Sequence, residues 1–276
     1  MSLFIASLNS GSNGNCYYIG NEQEAILIDA GLSCRETEKR MKRLGLTMDK
    51  IKAIFISHEH GDHISGVSVL AKKFQLPVYI TLPTLKYGRL QIDKEQINSF
   101  IAHHPIAIGN ISITAFPKMH DASDPHSFMI SSGSVNVGVF TDMGIACEQL
   151  VTYFKQCHAV FLESNYDCTM LENGNYPLHL KNRIRDGLGH LSNEQALQLF
   201  ISHRPTFLSH LILSHLSKNN NDPKLVEDLF NKNKGNTKII VASRYKESEV
   251  YRITSDGMYP TILAKTKTKN KQLSLF

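Results

Sequence analysis

Short apolar runs broken by polar turns dominate the first third of the chain. Residues 3–8, 16–19 and 25–28 each read as a strand, with a Gly/Asn/Ser turn at 9–15 and a hairpin at 20–24. Ser33 predicts a helix N-cap, with Glu36 as its capping-box partner and the helix running to about Leu44. Residues 51–56, apolar but for Lys52, have the pattern of a strand buried on both faces. A helix over 64–74 and a strand over 78–81 follow. The middle is again strand-rich, at 111–116, 127–130 and 135–140. A helix near 146–155 then precedes a strand at 159–162. Residues 178–201 are mostly helical, with Ser192 and Gln195 as a capping box for the last of these helices. Strands at 207–213 and 238–242 flank a helix at 223–231 that starts after Asp222. The pattern begins with strands, alternates later and restarts once. It predicts an α/β fold, two sheets packed face to face with helices outside.

The dominant chemical feature interrupts this pattern directly after the apolar run that ends at Ile56. His58-Glu59-His60-Gly61-Asp62-His63 places four metal-ligand side chains within six positions. Two imidazoles at i and i+2 can reach one metal from an extended turn, while Asp62 and His63 point at a second. Gly61 is expected to let the backbone bend between the pairs. Imidazole and carboxylate donors suit Zn²⁺ or Mn²⁺, and Fe is also compatible. Further candidates each end an apolar run: His120, Asp142 and His215. His210 competes with His215, but a strand at 211–214 would hold the two about 16 Å apart. The other candidates lie at the C-terminal ends of strands, so His215 is the consistent choice and His210 a structural histidine.

This ordered set resembles the metallo-β-lactamase superfamily. The resemblance covers about residues 1–262 and implies an αββα sandwich with two divalent ions between the sheet edges. It implies that His58, His60 and His120 hold one ion, that Asp62, His63 and His215 hold the other, and that Asp142 bridges them. Asp29 matches the family's early aspartate, set behind the ligands. Such a pair of ions activates water and stabilises a phosphoryl transition state. It can equally serve attack on a thioester, lactone or lactam carbonyl. The alternative to a nuclease is therefore a small-molecule hydrolase of the glyoxalase II or lactonase kind. A purely binding role sits poorly with a complete ligand set.

Several stretches narrow the resemblance. Residues 10–17 (Ser-Gly-Ser-Asn-Gly-Asn-Cys-Tyr), Glu163-Ser164-Asn165-Tyr166-Asp167, Tyr176-Pro177, Lys181-Asn182-Arg183 and Gly189-His190-Leu191-Ser192-Asn193 resemble the bacterial YycJ/WalJ group. That group implies 5′-to-3′ exonuclease activity on DNA, with RNA as the alternative substrate. Only 73 positions separate Asp142 from His215, too few for a large inserted domain of the RNase J type. Asp62 and His190 are the candidate catalytic residues. His190 precedes the Ser192 cap, where free N–H groups would suit a phosphate and an imidazolium could protonate a leaving oxygen. Asn15, Asn165, Lys181 and Arg183 are the candidate substrate contacts.

Composition changes this picture in one place. Lys+Arg exceed Asp+Glu by 30 to 25, but Lys265, Lys267, Lys269 and Lys271 supply four of the five excess charges. Residues 1–264 balance at 26 − 25 = +1, so the folded body gives little electrostatic warrant for DNA. The chain ends Gln272-Leu273-Ser274-Leu275-Phe276. This pentapeptide resembles the motif by which bacterial replication and repair proteins bind the DNA polymerase sliding clamp. Gln272, Leu273, Leu275 and Phe276 would make the contacts, and residues 263–276 would form a flexible basic tether. Five unpaired cysteines, no signal-like N-terminus and no long apolar run predict a cytoplasmic protein that does not cross a membrane. Oligomeric state has no sequence cue.

Overall fold

The computed structural model describes residues 1–256; the tail boundary and the terminal pentapeptide lie outside the described residues. Six strands come first: β1 (Ser2–Asn9), β2 (Cys16–Gly20), β3 (Ala25–Ile28), β4 (Ile51–Phe55), β5 (Val78–Tyr79) and β6 (Ile97–Asn98). Seven more follow: β7 (Ile106–Ile108), β8 (Ile111–Pro117), β9 (His126–Ser132), β10 (Val135–Phe140), β11 (Ala159–Glu163), β12 (His210–Ser214) and β13 (Lys238–Val241). The last, β14 (Tyr251–Thr254), returns to pair antiparallel with β1. The result is two seven-stranded sheets, ordered β14-β1-β2-β3-β4-β5-β6 and β13-β12-β11-β10-β9-β8-β7.

Each sheet turns from antiparallel hairpins to parallel strands where helices take over the connections. In the first sheet these are α1 (Cys34–Arg43), α2 (Gly61–Ile64), α3 (Val67–Phe74) and α4 (Leu82–Tyr87). In the second they are α5 (Glu148–Phe154), α6 (Cys168–Asn173), α7 (Leu178–Arg185), α8 (Asn193–His203) and α9 (Pro223–Asn231). Three apolar clusters follow from this layering. One lies between the sheets, with Ile5, Tyr17, Phe55, Phe128 and Phe161. A second packs α1 and α3 on the first sheet, and a third packs α5, α8 and α9 on the second. This is the expected αββα sandwich. No helix among the described residues is long and apolar enough to cross a membrane.

Local expectations met mixed outcomes. Ser192 and Gln195 form the reciprocal capping box, and Asp222 caps α9. Ser33 caps α1, but the Glu36 side chain turns away to pair with Arg40 at 2.9 Å, so the box is one-sided. The helix expected over 64–74 is broken between Ile64 and Val67. Gly66 makes the break: a Cβ there would lie 1.8 Å from the Leu32 carbonyl oxygen, and its N–H donates to Ala30 O. The strand expected over 78–81 is β5, shortened to Val78–Tyr79, whereas the two-residue strand β6 carries too little pattern to be seen in the sequence.

Candidate metal centre

Every ligand-type residue singled out in the sequence meets at one edge of the sandwich. The loop after β4 runs extended to His60 and then turns once as α2, with His63 N–H donating to His60 O at 2.9 Å. This change of direction separates the His58/His60 pair from Asp62 and His63. Gly61 is not what permits the bend. Its φ is not positive, and a Cβ there would meet only Ser65 Oγ at 3.9 Å. The glycine that matters lies opposite: a Cβ on Gly31 would come within 1.7 Å of Asp62 O, so only glycine lets these two loops touch.

The second sheet supplies its share from separate strand ends. β10, β11 and β12 are parallel and in register, with Phe140 beside Leu162 and Leu162 beside Leu213. Asp142, Glu163 and His215 therefore emerge together. Asp142 and His215, like Asp29 after β3, adopt positive φ (55°, 56° and 59°), a costly region for residues with a Cβ. The chain turns sharply at each strand end and throws the side chain sideways into the centre.

Two sets of donors result. His58 Nε2 and His120 Nε2 lie 3.1 and 3.3 Å from His60 Nδ1. Asp62 Oδ2 lies 3.5 Å from His63 Nε2 and 3.3 Å from His215 Nε2. A tetrahedral ion with bonds of 2.0–2.1 Å separates its ligand atoms by roughly 3.3–3.4 Å, so both sets have the right spacing. Asp142 stands between them. Its Oδ2 is 3.2 Å from His63 Nε2 yet buried without a hydrogen-bond partner, and its Oδ1 is 3.4 Å from His215 Nδ1. An orphaned buried carboxylate oxygen facing a ring nitrogen is what a cation would satisfy. The residues present thus fit divalent metal.

Behind this shell, partners fix the outward ring nitrogens. His58 Nδ1 faces Ser57 Oγ at 2.9 Å, and His63 Nδ1 faces Asp29 Oδ2 at 2.7 Å. His120 Nδ1 faces the carbonyls of Leu188 and Gly189 at 3.1 and 3.0 Å. His215 Nδ1 faces Glu163 Oε1 at 3.1 Å. Glu163, which the sequence reading passed over as a site residue, also lies 2.7 Å from His190 Nδ1 and accepts from Met143 N–H. The cue was present: like Asp142, it is a carboxylate at the end of an apolar strand.

The electrostatics split along the same line. Burial lowers His58 well below the ordinary histidine value and His120 to about 4, so both rings are neutral near pH 7. Burial also works against charge on His63 and His215, but Asp142 with Asp62 and Asp29 raises His63 well above its usual value, and Asp142 with Asp62 and Glu163 raises His215 to about 10. Asp62 is held below the usual carboxylate range because His63 and His215 outweigh its burial. Lys118, buried beneath the centre, donates from Nζ to Thr141 O at 2.7 Å; burial pulls its pKa down against the pull of the carboxylates.

A cleft of about 230 Å³ opens onto this cluster, lined by His60, Asp121, Asn165, Tyr176, Leu180, Arg183, Ile184, His190 and His215 among others. Three expectations change here. Asn15 is fully buried and outside the cleft lining: its Nδ2 donates to Asp62 Oδ2 at 3.0 Å, so it orients that carboxylate. Lys181 points away and donates to Glu172 O. Arg183 does border the cleft, paired with Asp121 at 2.6 Å. Most N–H groups expected to meet a phosphate at the N-terminus of α8 already have partners within the protein. The N–H groups of Leu191, Ser192, Asn193 and Gln195 go to Glu163, Gln195, Tyr166 and Ser192. Asn165 lines the cleft and donates to His215 O at 2.8 Å. The remaining histidines lie outside the centre; His210, buried, begins β12 beside Ser209, and His103 stacks on Tyr153.

A profile of the β-lactamase superfamily domain matches residues 24–215, which spans every residue of this cluster from Asp29 to His215. The chain belongs to the β-lactamase superfamily. Within the superfamily it falls in the YycJ/WalJ-like group: it is 34% identical over 230 residues to exodeoxyribonuclease YycJ of Bacillus anthracis, covering 82% of this chain and 86% of that one. Exodeoxyribonuclease WalJ of Streptococcus pneumoniae is 31% identical over 223 residues, covering 79% and 83%. Among solved structures, the metallo-β-lactamase fold protein YhfI of Bacillus subtilis superposes with a TM-score of 0.70 at 16% identity, over 91% of this chain and all of that one. That likeness speaks for the fold. Family membership and the donor clusters together make this superfamily member a metal-dependent hydrolase.

Proposed function

We propose that the chain is a dinuclear metal-dependent phosphodiesterase that degrades DNA from its ends in the 5′-to-3′ direction, with RNA as the secondary candidate. The observation that carries this reading is a pair of donor sets with the Asp142 carboxylate between them and the Glu163–His190 pair beside them, at a cleft that His60, His190 and His215 line. It is supported by the exodeoxyribonucleases that the chain resembles over most of its length. His58, His60 and His120 would hold one ion, Asp62, His63 and His215 the other, and Asp142 would bridge them; Zn²⁺ and Mn²⁺ suit these donors, and Fe is compatible. Such ions, when bound, lower the pKa of water and stabilise the charge of a phosphoryl transition state.

The chain's own groups do the rest. Glu163 Oε1 accepts from His190 Nδ1–H, which leaves Nε2 directed to the cleft as a proton donor for the leaving oxygen. Glu163 also restrains His215, so one carboxylate ties proton transfer to ligand position. Asn15 and Asp29 hold Asp62 and His63 at their stations. Asn165 fixes the backbone of His215, and Arg183, paired with Asp121, borders the cleft as a candidate phosphate contact.

The protein would act in the cytoplasm during DNA replication or repair, with Gln272, Leu273, Leu275 and Phe276 docking on the sliding clamp. The decisive experiment incubates purified, metal-loaded protein with end-labelled single- and double-stranded DNA and RNA, beside Asp62→Ala. Nucleotide release that depends on Asp62 is expected; no nucleolysis with Zn²⁺, Mn²⁺ or Mg²⁺ overturns the proposal. A clamp pull-down that is unchanged by deletion of 272–276 overturns the recruitment.

A further inference from the structure

The turn between β1 and β2 holds the centre from two positions. Ser10 Oγ accepts from His215 N–H at 2.7 Å, and Asn15 Nδ2 donates to Asp62 Oδ2 at 3.0 Å. The turn is also closed on itself: Gly11 N–H donates to Asn15 Oδ1 and Gly14 N–H to Gly11 O, both at 2.9 Å. Between these anchors Ser12 is exposed and lines the cleft together with His215, Leu216 and Ser217. Its place relative to the donor sets is therefore fixed by the same bonds that hold His215 and Asp62.

What Ser12 touches decides its chemistry. Arg244, in the loop after β13, donates from Nη2 to Ser12 Oγ at 2.8 Å. That loop is pinned to the turn: Ser10 N–H donates to Ser243 O at 3.2 Å, and Asn13 Nδ2 donates to Arg244 O at 2.8 Å. Nη1 of Arg244 is buried with no hydrogen-bond partner, so neither terminal nitrogen is spent on a carboxylate. Arg183 differs, since Asp121 faces its charge at 2.6 Å. Residues 1–264 balance at 26 − 25 = +1, and in so neutral a body an arginine held without an acid makes a local positive field.

A serine oxygen that accepts from a guanidinium still has its own hydrogen to donate. The neighbouring charge strengthens that donor and selects an anion as its acceptor. A phosphodiester oxygen meets both demands, whereas the edge of a neutral base would leave the charge unanswered. The phosphate under attack would lie at the donor sets, so the anion at Ser12 is a different one.

Resting on the nuclease reading above, we propose that the Ser12 hydroxyl binds a backbone phosphate adjoining the one that is cleaved, and that Arg244 acts through Ser12 as a positioning residue that also supplies the charge. The cleft then has a phosphate contact on its His215 side, carried by the turn that already fixes two metal-ligand residues.

The test compares a thymidine hexanucleotide with the dinucleotide, which has a single phosphodiester and nothing to place at Ser12. Full-length protein loaded with Mn²⁺ is assayed as wild type, Ser12→Ala, Ser12→Thr, Arg244→Gln and Arg244→Lys, with thermal unfolding and metal content measured for each. Ser12→Ala and Arg244→Gln should lower the ratio of kcat/KM for hexanucleotide over dinucleotide by about tenfold, mainly through KM. Ser12→Thr keeps the hydroxyl and Arg244→Lys the charge, so each should recover at least half of that ratio. Anisotropy of a labelled hexanucleotide on metal-free protein, which needs no turnover of either substrate, should show binding weakened about tenfold by Ser12→Ala and by Arg244→Gln. Equal losses on both substrates overturn the inference, because they mean that the turn holding His215 and Asp62 has shifted. So does a Ser12→Ala variant that binds and digests the hexanucleotide as the wild type does. Failure of the wild type on the hexanucleotide would instead strike the nuclease reading itself, and the inference with it.

Discussion

The two halves of the centre are built in opposite ways. The first sheet supplies His58, His60, Asp62 and His63 from one six-residue loop, whose shape comes from local turns. The second supplies His120, Asp142, Glu163, His190 and His215 as isolated residues from separate strand ends and loops, and only the register of β10, β11 and β12 brings the last strand ends together. Electrostatics follows the donor sets that draw on both halves. The set containing His58 and His120 is poor in charge, and the set of Asp62, His63 and His215 is crowded with carboxylates and holds protons instead. A contiguous motif announces metal; the dispersed half determines what the metal can be used for.

That contrast can be broken at several points. The largest effect should come from the contiguous loop: Asp62→Ala is expected to lower turnover by on the order of 10³-fold or more and to reduce bound metal, as read by kinetics and elemental analysis. Glu163→Gln tests the dispersed half. It keeps the shape and removes the charge that orients His190, so kcat should fall by about 10²–10⁴-fold while most of the metal remains. Unchanged kcat would leave Glu163 a mere scaffold.

Proton release separates the two donor sets. Metal entering the Asp62, His63 and His215 set must displace protons from the raised imidazoles, so its affinity should rise with pH until His215 loses its proton at about 10. His58 and His120, already neutral there, give up none. Chelator-competition titrations at several pH values should thus show one steep and one shallow dependence. The sign for the metal-free fold is opposite: stability from these raised imidazoles is complete below about pH 6.5 and is lost as pH climbs towards 10. Next in size, Asn15→Ala should weaken metal affinity by about 10–100-fold with little change in KM, because it touches Asp62 and not the cleft. Lys181→Ala should alter kcat and KM by less than about twofold, since its ammonium is spent on Glu172 O.

Much of the fold could be read because period and punctuation agree along most of the chain: apolar runs ended by Gly, Asn or Ser gave the strands, and caps at Ser192 and Asp222 gave helix starts. The site was legible wherever a polar residue directly followed such a run. What escaped reading depended on geometry that spacing does not encode. Positive φ at Asp29, Asp142 and His215 has only a weak signal in residue type, since Asp and His are enriched there but adopt it in few of their occurrences. Asn15 reads as a substrate contact from the sequence, but it is fully buried against Gly31 and Asp62. Gly61 stood inside the motif and seemed necessary, whereas Gly31, far away in sequence, is the one with no space for a Cβ.

The position of β12 has a consequence in time. His215 is residue 215 of 276, its strand lies between β11 and β13, and its N–H is held by Ser10 Oγ at 2.7 Å. A chain emerging from the ribosome offers the loop of His58 to His63 early, with His120 after it. The strand that closes the second set comes late and must find a partner made at the very start. A product whose translation stops before β12 would lack His215, the donor that completes the set of Asp62 and His63.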